Sequence, residues 1–214
     1  MKTDCLAKRM KRCADIVFAI VVGSVGWAYA AGPFGIDHRV EVSDTGLWNR
    51  NIQLGVEYGT AAAVIAGALW EGSEDRLGST FWKALDSAVL SSVTAQAGKY
   101  IFTRARPSQT DDPSKFFQGR GHYSFPSGEV AEVAGAVAPF VFEYGHEYPA
   151  VYALEGLTIY DMVARVKTGS HWQSDVLVSA ALGTAFGYYT SHRDRSIIVG
   201  LLPGGAWVGL KRQF

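Results

Sequence analysis

Three short blocks of this chain hold residue types that could bind and transfer a phosphoryl group. The first is Lys99-x6-Arg106-Pro107. Lys99 and Arg106 are seven residues apart, two helical turns, so a continuing helix places both cations on one face. Pro107 ends such a helix, because the residue before a proline is pushed out of the helical region. Alone, the block reads more readily as a helix end with snorkelling cations. The second is Pro126-Ser127-Gly128-Glu129. Ser127 can cap a following helix, and Gly128 lets an anion approach the backbone closely. The unpaired N–H groups and the dipole of a helix start make a phosphate site. Alone, this is also an ordinary cap with Glu129 well placed in the first turn. The third is Arg165-x5-His171-x3-Asp175. A carboxylate one turn past a histidine can take a hydrogen bond from one ring nitrogen and leave the other free as a nucleophile. Alone, it is also a surface pair.

Together the blocks supply three cations, a helix N-terminus and an oriented histidine. That inventory fits phosphoryl binding and transfer, which needs positioning and charge neutralisation above all.

The ordered set K-x6-R-P, P-S-G and R-x5-H-x3-D resembles the signature of the type-2 phosphatidic acid phosphatase superfamily. That superfamily holds bacterial acid phosphatases and lipid phosphatases and shares its core with vanadium-dependent haloperoxidases. The matching stretch, Phe81 to Ser191, covers about half the chain. The resemblance implies an all-α helical bundle of the acid phosphatase/haloperoxidase type. It implies that Lys99, Arg106 and Arg165 hold phosphoryl oxygens, with Ser127 and the Gly128 N–H completing the cradle. It implies that His171 attacks phosphorus to form a phosphohistidine and that Asp175 orients it. It calls for no metal or other cofactor. The chain departs from the family at Glu129, where the usual residue is the histidine that protonates the leaving group. A glutamate can do so only if its pKa is raised. His122, in the preceding loop, is the alternative donor. Ala164 also replaces a usual serine.

Helices must position these residues. Residues from Leu47 look helical, and Tyr58 to Trp70 is free of charge. Phe81 to Phe102 carries apolar residues at helical spacing, ended by Pro107. Ser108 to Tyr123 is a polar loop of 16 residues, long enough to suggest function. Further helices run from Ser127 to about Tyr144 and from Pro149 to near Val166. The last runs from Ser170 to about Ser191, where Ser170 and Gln173 form a capping box. Ser196 to Leu202 and Ala206 to Phe214 are β-like runs around Pro203-Gly204-Gly205, which predicts a C-terminal hairpin. His38, His146 and His192 read as surface residues, and Trp172, Tyr188 and Tyr189 as core or bundle surface.

The first thirty residues read as a separate piece. Lys2, Lys8, Arg9, Lys11 and Arg12 precede the apolar run Ile16 to Val25, and Ala28-Tyr29-Ala30 follows. That order predicts a secretory signal peptide cleaved after Ala30 and a periplasmic protein; an uncleaved anchor helix on the periplasmic face is the alternative. Cleavage would remove Cys5 and Cys13, which suits an oxidising compartment. The organisation is thus a leader at 1–30, a helical phosphatase domain at 31–195 and a hairpin tail at 196–214.

Composition bounds the rest. The 214 residues carry 20 basic and 20 acidic side chains, so a neutral chain without a basic block gives no reason to expect nucleic acid. Past the leader the longest charge-free run, Val176 to Ser191, has 16 residues against the about 20 of a spanning helix. The expected partner is a phosphorylated small molecule or lipid head group, with peripheral membrane contact. The expected activity is metal-independent hydrolysis of a phosphomonoester or diphosphate. A non-catalytic anion-binding envelope protein and a vanadate-dependent haloperoxidase are the alternatives.

Overall fold

The computed structural model describes residues 32–201. The proposed leader and the second β-like run, 206–214, lie outside the described residues. Five long helices and a short one carry the fold: α1 (Arg50–Glu71), α2 (Arg76–Phe102), α3 (Gly128–Tyr144), α4 (Glu155–Lys167), α5 (Gln173–Ser191) and α6 (Ile197–Leu201). A 3-10 segment, Pro149–Leu154, leads into α4. No strand occurs among the described residues, and the fold is all-α as the sequence indicates.

The central helix is α3, packed chiefly against α2 and α5. Val130, Ala131 and every residue from Val133 to Pro139 are buried. A helix that is apolar on all sides belongs in the middle of a bundle. Small side chains bring the helices close. A Cβ on Gly183 of α5 would lie 2.5 Å from the Ala131 carbonyl oxygen of α3, and one on Gly135 would lie 2.7 Å from Ser91 Oγ of α2.

The N-terminus of α1 is capped by Asn49, whose side chain accepts from the Asn51 N–H at 2.9 Å. Much of α1 faces outward, with Tyr58, Ile65, Leu69 and Trp70 exposed. It is long and apolar enough, by length and composition, to cross a bilayer. An apolar groove of about 290 Å³ lies between α1, α2 and α3, lined by Val64, Ile65, Leu85, Val89 and Val133 among others.

Several helix ends differ from the sequence reading, each for a local reason. α2 starts at Arg76 because the Asp75 carboxylate caps it, accepting from the Gly78 N–H at 2.7 Å. It stops at Phe102 rather than at Pro107, because Thr103 takes a left-handed conformation with φ 35°. α5 starts at Gln173, not Ser170; the Asp175 carboxylate accepts the Trp172 N–H at 2.9 Å, so no Ser170–Gln173 box forms. The first β-like run is helical over Ile197–Leu201, because buried Asp86 accepts the N–H groups of Ile197 and Ile198. His38 is buried against Gln173 rather than on the surface, while His146 and His192 are exposed.

The two kinds of helical glycine should respond oppositely to alanine. Gly183→Ala forces a methyl against backbone and should cost about 1–3 kcal/mol in chemical denaturation. Gly59→Ala, with no neighbour within 4 Å, should stabilise by roughly 0.5–1 kcal/mol through helix propensity.

Candidate active site

Because α2 ends early, Lys99 and Arg106 do not share a continuous helical face. Lys99 lies in the last turn of α2, and Arg106 stands in the loop beyond it. Both nevertheless point to one place: Lys99 Nζ donates to the Tyr123 carbonyl at 3.1 Å and Arg106 reaches the same oxygen at 3.5 Å. The long loop allows this by folding back onto α2. The Phe117 N–H bonds the Phe102 carbonyl at 2.8 Å, and the Ser124 N–H bonds the Arg104 carbonyl at 2.9 Å. Phe102 packs edge-on against Phe116 and Phe125, which holds the two arms of the loop together.

The second block starts α3 beside Lys99. A Cβ on Gly128 would lie 3.6 Å from Lys99 Cε, so the glycine leaves the helix start open to that side chain. The Ser127 N–H is taken by Ser179 Oγ at 2.7 Å. Its own hydroxyl is buried without a hydrogen-bond partner, and so is Arg165 Nε. Buried donors without acceptors are costly, and a bound oxyanion would satisfy both.

Burial, together with the Arg106 and Arg165 charges, pushes the Lys99 ammonium down to about 8. Arg165, 5% exposed, points toward Glu129 at 3.3 Å and Gln53 at 3.3 Å. Glu129 is itself held by both guanidinium nitrogens of Arg50, at 2.6 and 2.9 Å. Burial raises its pKa, but the Arg50 hydrogen bonds and the Arg165 charge outweigh this and hold the carboxylate below its ordinary range. The raised pKa that Glu129 would need to act as the acid is therefore not what its surroundings give: two cations favour the ionised form. His122 precedes Tyr123 in the loop, with Nδ1 buried and unpartnered.

His171 lies just before α5, 2% exposed. Its Nδ1 is 2.6 Å from the Ser124 carbonyl and 3.7 Å from the Asp175 carboxylate. A carbonyl oxygen only accepts, so Nδ1 carries the proton and Nε2 keeps its lone pair. The expected direct His171–Asp175 hydrogen bond is replaced by an indirect one, because Asp175 accepts from Ser124 Oγ and the Trp172 N–H. Burial first, with the Lys99 and Arg165 charges adding to it against the pull of Asp175, pushes the imidazole down to about 3. His171 is thus a neutral imidazole at physiological pH.

Sequence reasoning passed over Arg104, hidden in the spacer of the first block. It is fully buried between two fully buried carboxylates, Asp37 and Asp175. All five of its N–H donors have acceptors: the Pro113 carbonyl twice, Ser174 Oγ, Asp37 and Asp175. Phe116 lies 4.6 Å from its guanidinium carbon and Trp172 5.6 Å. Arg50 and Gln53 were also passed over, since nothing in their spacing links α1 to the site.

A helical bundle that gathers three cations, a helix start with a buried, unpartnered Ser127 hydroxyl, and a neutral, tautomer-fixed histidine has the form of a phosphoryl-handling site. The match to known proteins agrees. Residues 80–198 match the PAP2 superfamily model, and the chain belongs to that family. Over 93 residues, 42% of the chain, it is 36% identical to a Porphyromonas gingivalis protein named lipid A 1-phosphatase. The chain spans 18% of that protein's length. No solved structure gives a significant match.

If Lys99 helps to hold an anion, affinity should fall as it deprotonates. Binding of tungstate, whose charge is constant from neutral to alkaline pH, should weaken as pH rises through about 8. Lys99→Arg should remove that loss up to pH 10. Calorimetric titration across the range checks both.

Proposed function

We propose that the chain is a phosphatase that hydrolyses a lipid phosphomonoester or diphosphate through a phosphohistidine on His171, without a metal. Membership of the PAP2 superfamily and the likeness to a protein named lipid A 1-phosphatase support a phosphatase acting on lipid phosphoesters. The observation that carries the mechanism is the neutral His171, with Nδ1–H on the Ser124 carbonyl.

Lys99, Arg106 and Arg165 neutralise the phosphoryl oxygens, and the Ser127 hydroxyl and Gly128 N–H take the remaining lone pairs. The His171 Nε2 lone pair forms the N–P bond as the P–O bond to the leaving group breaks. Asp175 acts on His171 through Ser124. The leaving oxygen takes a proton, and water then cleaves N–P to release phosphate. With Glu129 ionised between Arg50 and Arg165, we assign the leaving-group proton to His122 and give Glu129 the task of aiming Arg165.

The lipid reading draws support from the apolar outward face of α1 and from the groove between α1, α2 and α3. That groove runs along α2 and α3, the two helices that also carry Lys99 and Gly128, and is suited to acyl chains. Peripheral contact with an envelope membrane and export by the leader at 1–30 belong to the same proposal. So does the division into leader, helical domain at 31–195 and tail.

His171→Ala should abolish phosphate release from p-nitrophenyl phosphate while tungstate still binds, and EDTA should leave the wild type active. Turnover by the variant, or loss with EDTA, would remove the phosphohistidine mechanism. A wild type that binds tungstate but releases no phosphate from soluble or lipid substrates would be a non-catalytic anion-binding protein.

The acid assignment has its own test. An alkoxide needs a proton to leave, whereas p-nitrophenolate does not. His122→Gln should slow an alkyl phosphate by about a hundredfold and p-nitrophenyl phosphate little. Glu129→Gln should slow both alike. Selective loss of the alkyl substrate in Glu129→Gln would restore the glutamate as the acid.

A further inference from the structure

We infer that Asp37 and Arg104 are positioning residues for His171, acting through Asp175 and Ser124 from outside the phosphate cradle. The inference rests on the phosphatase reading above. Its basis is an unbroken chain of buried contacts. Asp37 Oδ2 accepts from Arg104 at 2.6 Å, and the other arm of that guanidinium donates to Asp175. Asp175 accepts from Ser124 Oγ, and the Ser124 carbonyl takes the His171 Nδ1 proton at 2.6 Å. Arg104 holds Ser124 a second time, since its own carbonyl accepts the Ser124 N–H at 2.9 Å. The carbonyl that sets the His171 tautomer is therefore fixed from two sides by one residue.

Asp37 closes the far end. Its Oδ1 accepts the Ser174 N–H at 2.7 Å, and its Oδ2 accepts from Ser174 Oγ at 2.7 Å. It thereby holds the first turn of α5, two residues past His171, as well as Arg104. The space around it is full: a Cβ on Gly32 would come within 2.6 Å of Asp37 Oδ2 and 3.1 Å of Arg104 Nη2. Gly32 also has φ +80°, which favours glycine. Asp37 and Gly32 lie outside the family-matched residues 80–198, so this end of the device belongs to the amino-terminal segment.

A buried ion pair is weak evidence for stability, because apolar residues of similar volume often do as well. Here the pairing ends on the nucleophile, where orientation changes rate. The charges around His171 are Lys99 from α2, Glu129 from α3, Arg165 from α4 and Asp175 from α5. Arg104 sets how much of the Asp175 charge the ring feels, and Asp37 sets how much of the Arg104 charge Asp175 receives. Two variants should thus act in opposite directions. Arg104→Gln leaves Asp175 uncompensated and should raise the His171 pKa. Asp37→Asn leaves Arg104 to Asp175 alone and should not raise it.

The test uses the full chain with ring-labelled histidine. Nitrogen NMR reads the His171 tautomer and pKa; p-nitrophenyl phosphate turnover and tungstate titration read chemistry and binding. The wild type should show the Nδ1–H tautomer. Asp37→Asn, nearly isosteric, should lower kcat by about 10- to 100-fold, as small displacements of a reacting group do. Its KM and tungstate affinity should stay within about twofold of wild type, because the cradle cations are untouched. Arg104→Gln should raise the His171 pKa by about one unit or more. If that variant fails to fold, Ser174→Ala, which removes the hydroxyl shared by Asp37 and Arg104, should reproduce the Asp37→Asn kinetics. Unchanged kcat and tautomer in Asp37→Asn, or kcat and tungstate affinity falling together, would overturn the inference. A wild type without turnover would sink the phosphatase reading, while the NMR arm would still decide the relay.

Discussion

A single buried guanidinium organises the half of this molecule that carries the candidate active site. Arg104 is out of contact with water, and so are both carboxylates it joins. Removing one partner of such a group leaves an uncompensated buried charge, at a cost of about 3–5 kcal/mol. That constraint ties three distant pieces of chain together: the segment before α1, the loop after α2 and the start of α5. With one cation between two acids, the centre stays negative overall. Burial raises the Asp37 carboxyl, whereas at Asp175 burial is outweighed by the Arg104 charge and the Ser124 hydrogen bond, which hold that carboxyl down. The charge next to the histidine is therefore the better fixed of the two.

The proposed phosphate cradle has the opposite balance. Lys99, Arg106 and Arg165 converge with Arg50 close by, and Glu129 pairs with Arg50 and Arg165. Burial, first of all, and neighbouring cations lower the pKa of Lys99, Arg106 and Arg165. A bound anion would relieve such a cluster and would also satisfy the unpartnered donors of Ser127 and Arg165. Glu129 shows what its replacement of the family histidine means in this setting. Placed at the first turn of α3, it meets Arg50 from α1 and becomes part of the charge balance. That contact also couples α1, with its apolar outward face, to the cradle.

Much of this was legible in the sequence. The blocks at Lys99, Ser127 and His171 depend on residue type and short spacing, and helix periodicity is a local property. The all-α class, the central helix after Ser127 and the family followed from these. Helix ends were legible only to within a few residues, because they turn on capping partners. Asp75 and Asp86 take N–H groups that the apolar pattern does not mark, and Thr103 leaves the helix four residues before the proline that should have ended it. For the same reason the run after Ser196 read as a strand, although a carboxylate on α2 starts a helix there.

What remained for the tertiary structure was every interaction between residues far apart in sequence. Asp37 and Arg104 are separated by 67 positions, and Arg50 and Glu129 by 79. No periodicity records such pairs. Their chemistry also depends on burial, which is a property of the whole packing. A histidine with a carboxylate four residues on suggests a direct hydrogen bond. Only the folded chain decided that the Ser124 carbonyl takes that proton while Asp175 serves Arg104. The sequence by itself determined which groups could handle a phosphoryl anion. The tertiary structure decided which of them are charged, because desolvation and neighbouring ions, not residue identity, set the protonation of a buried group.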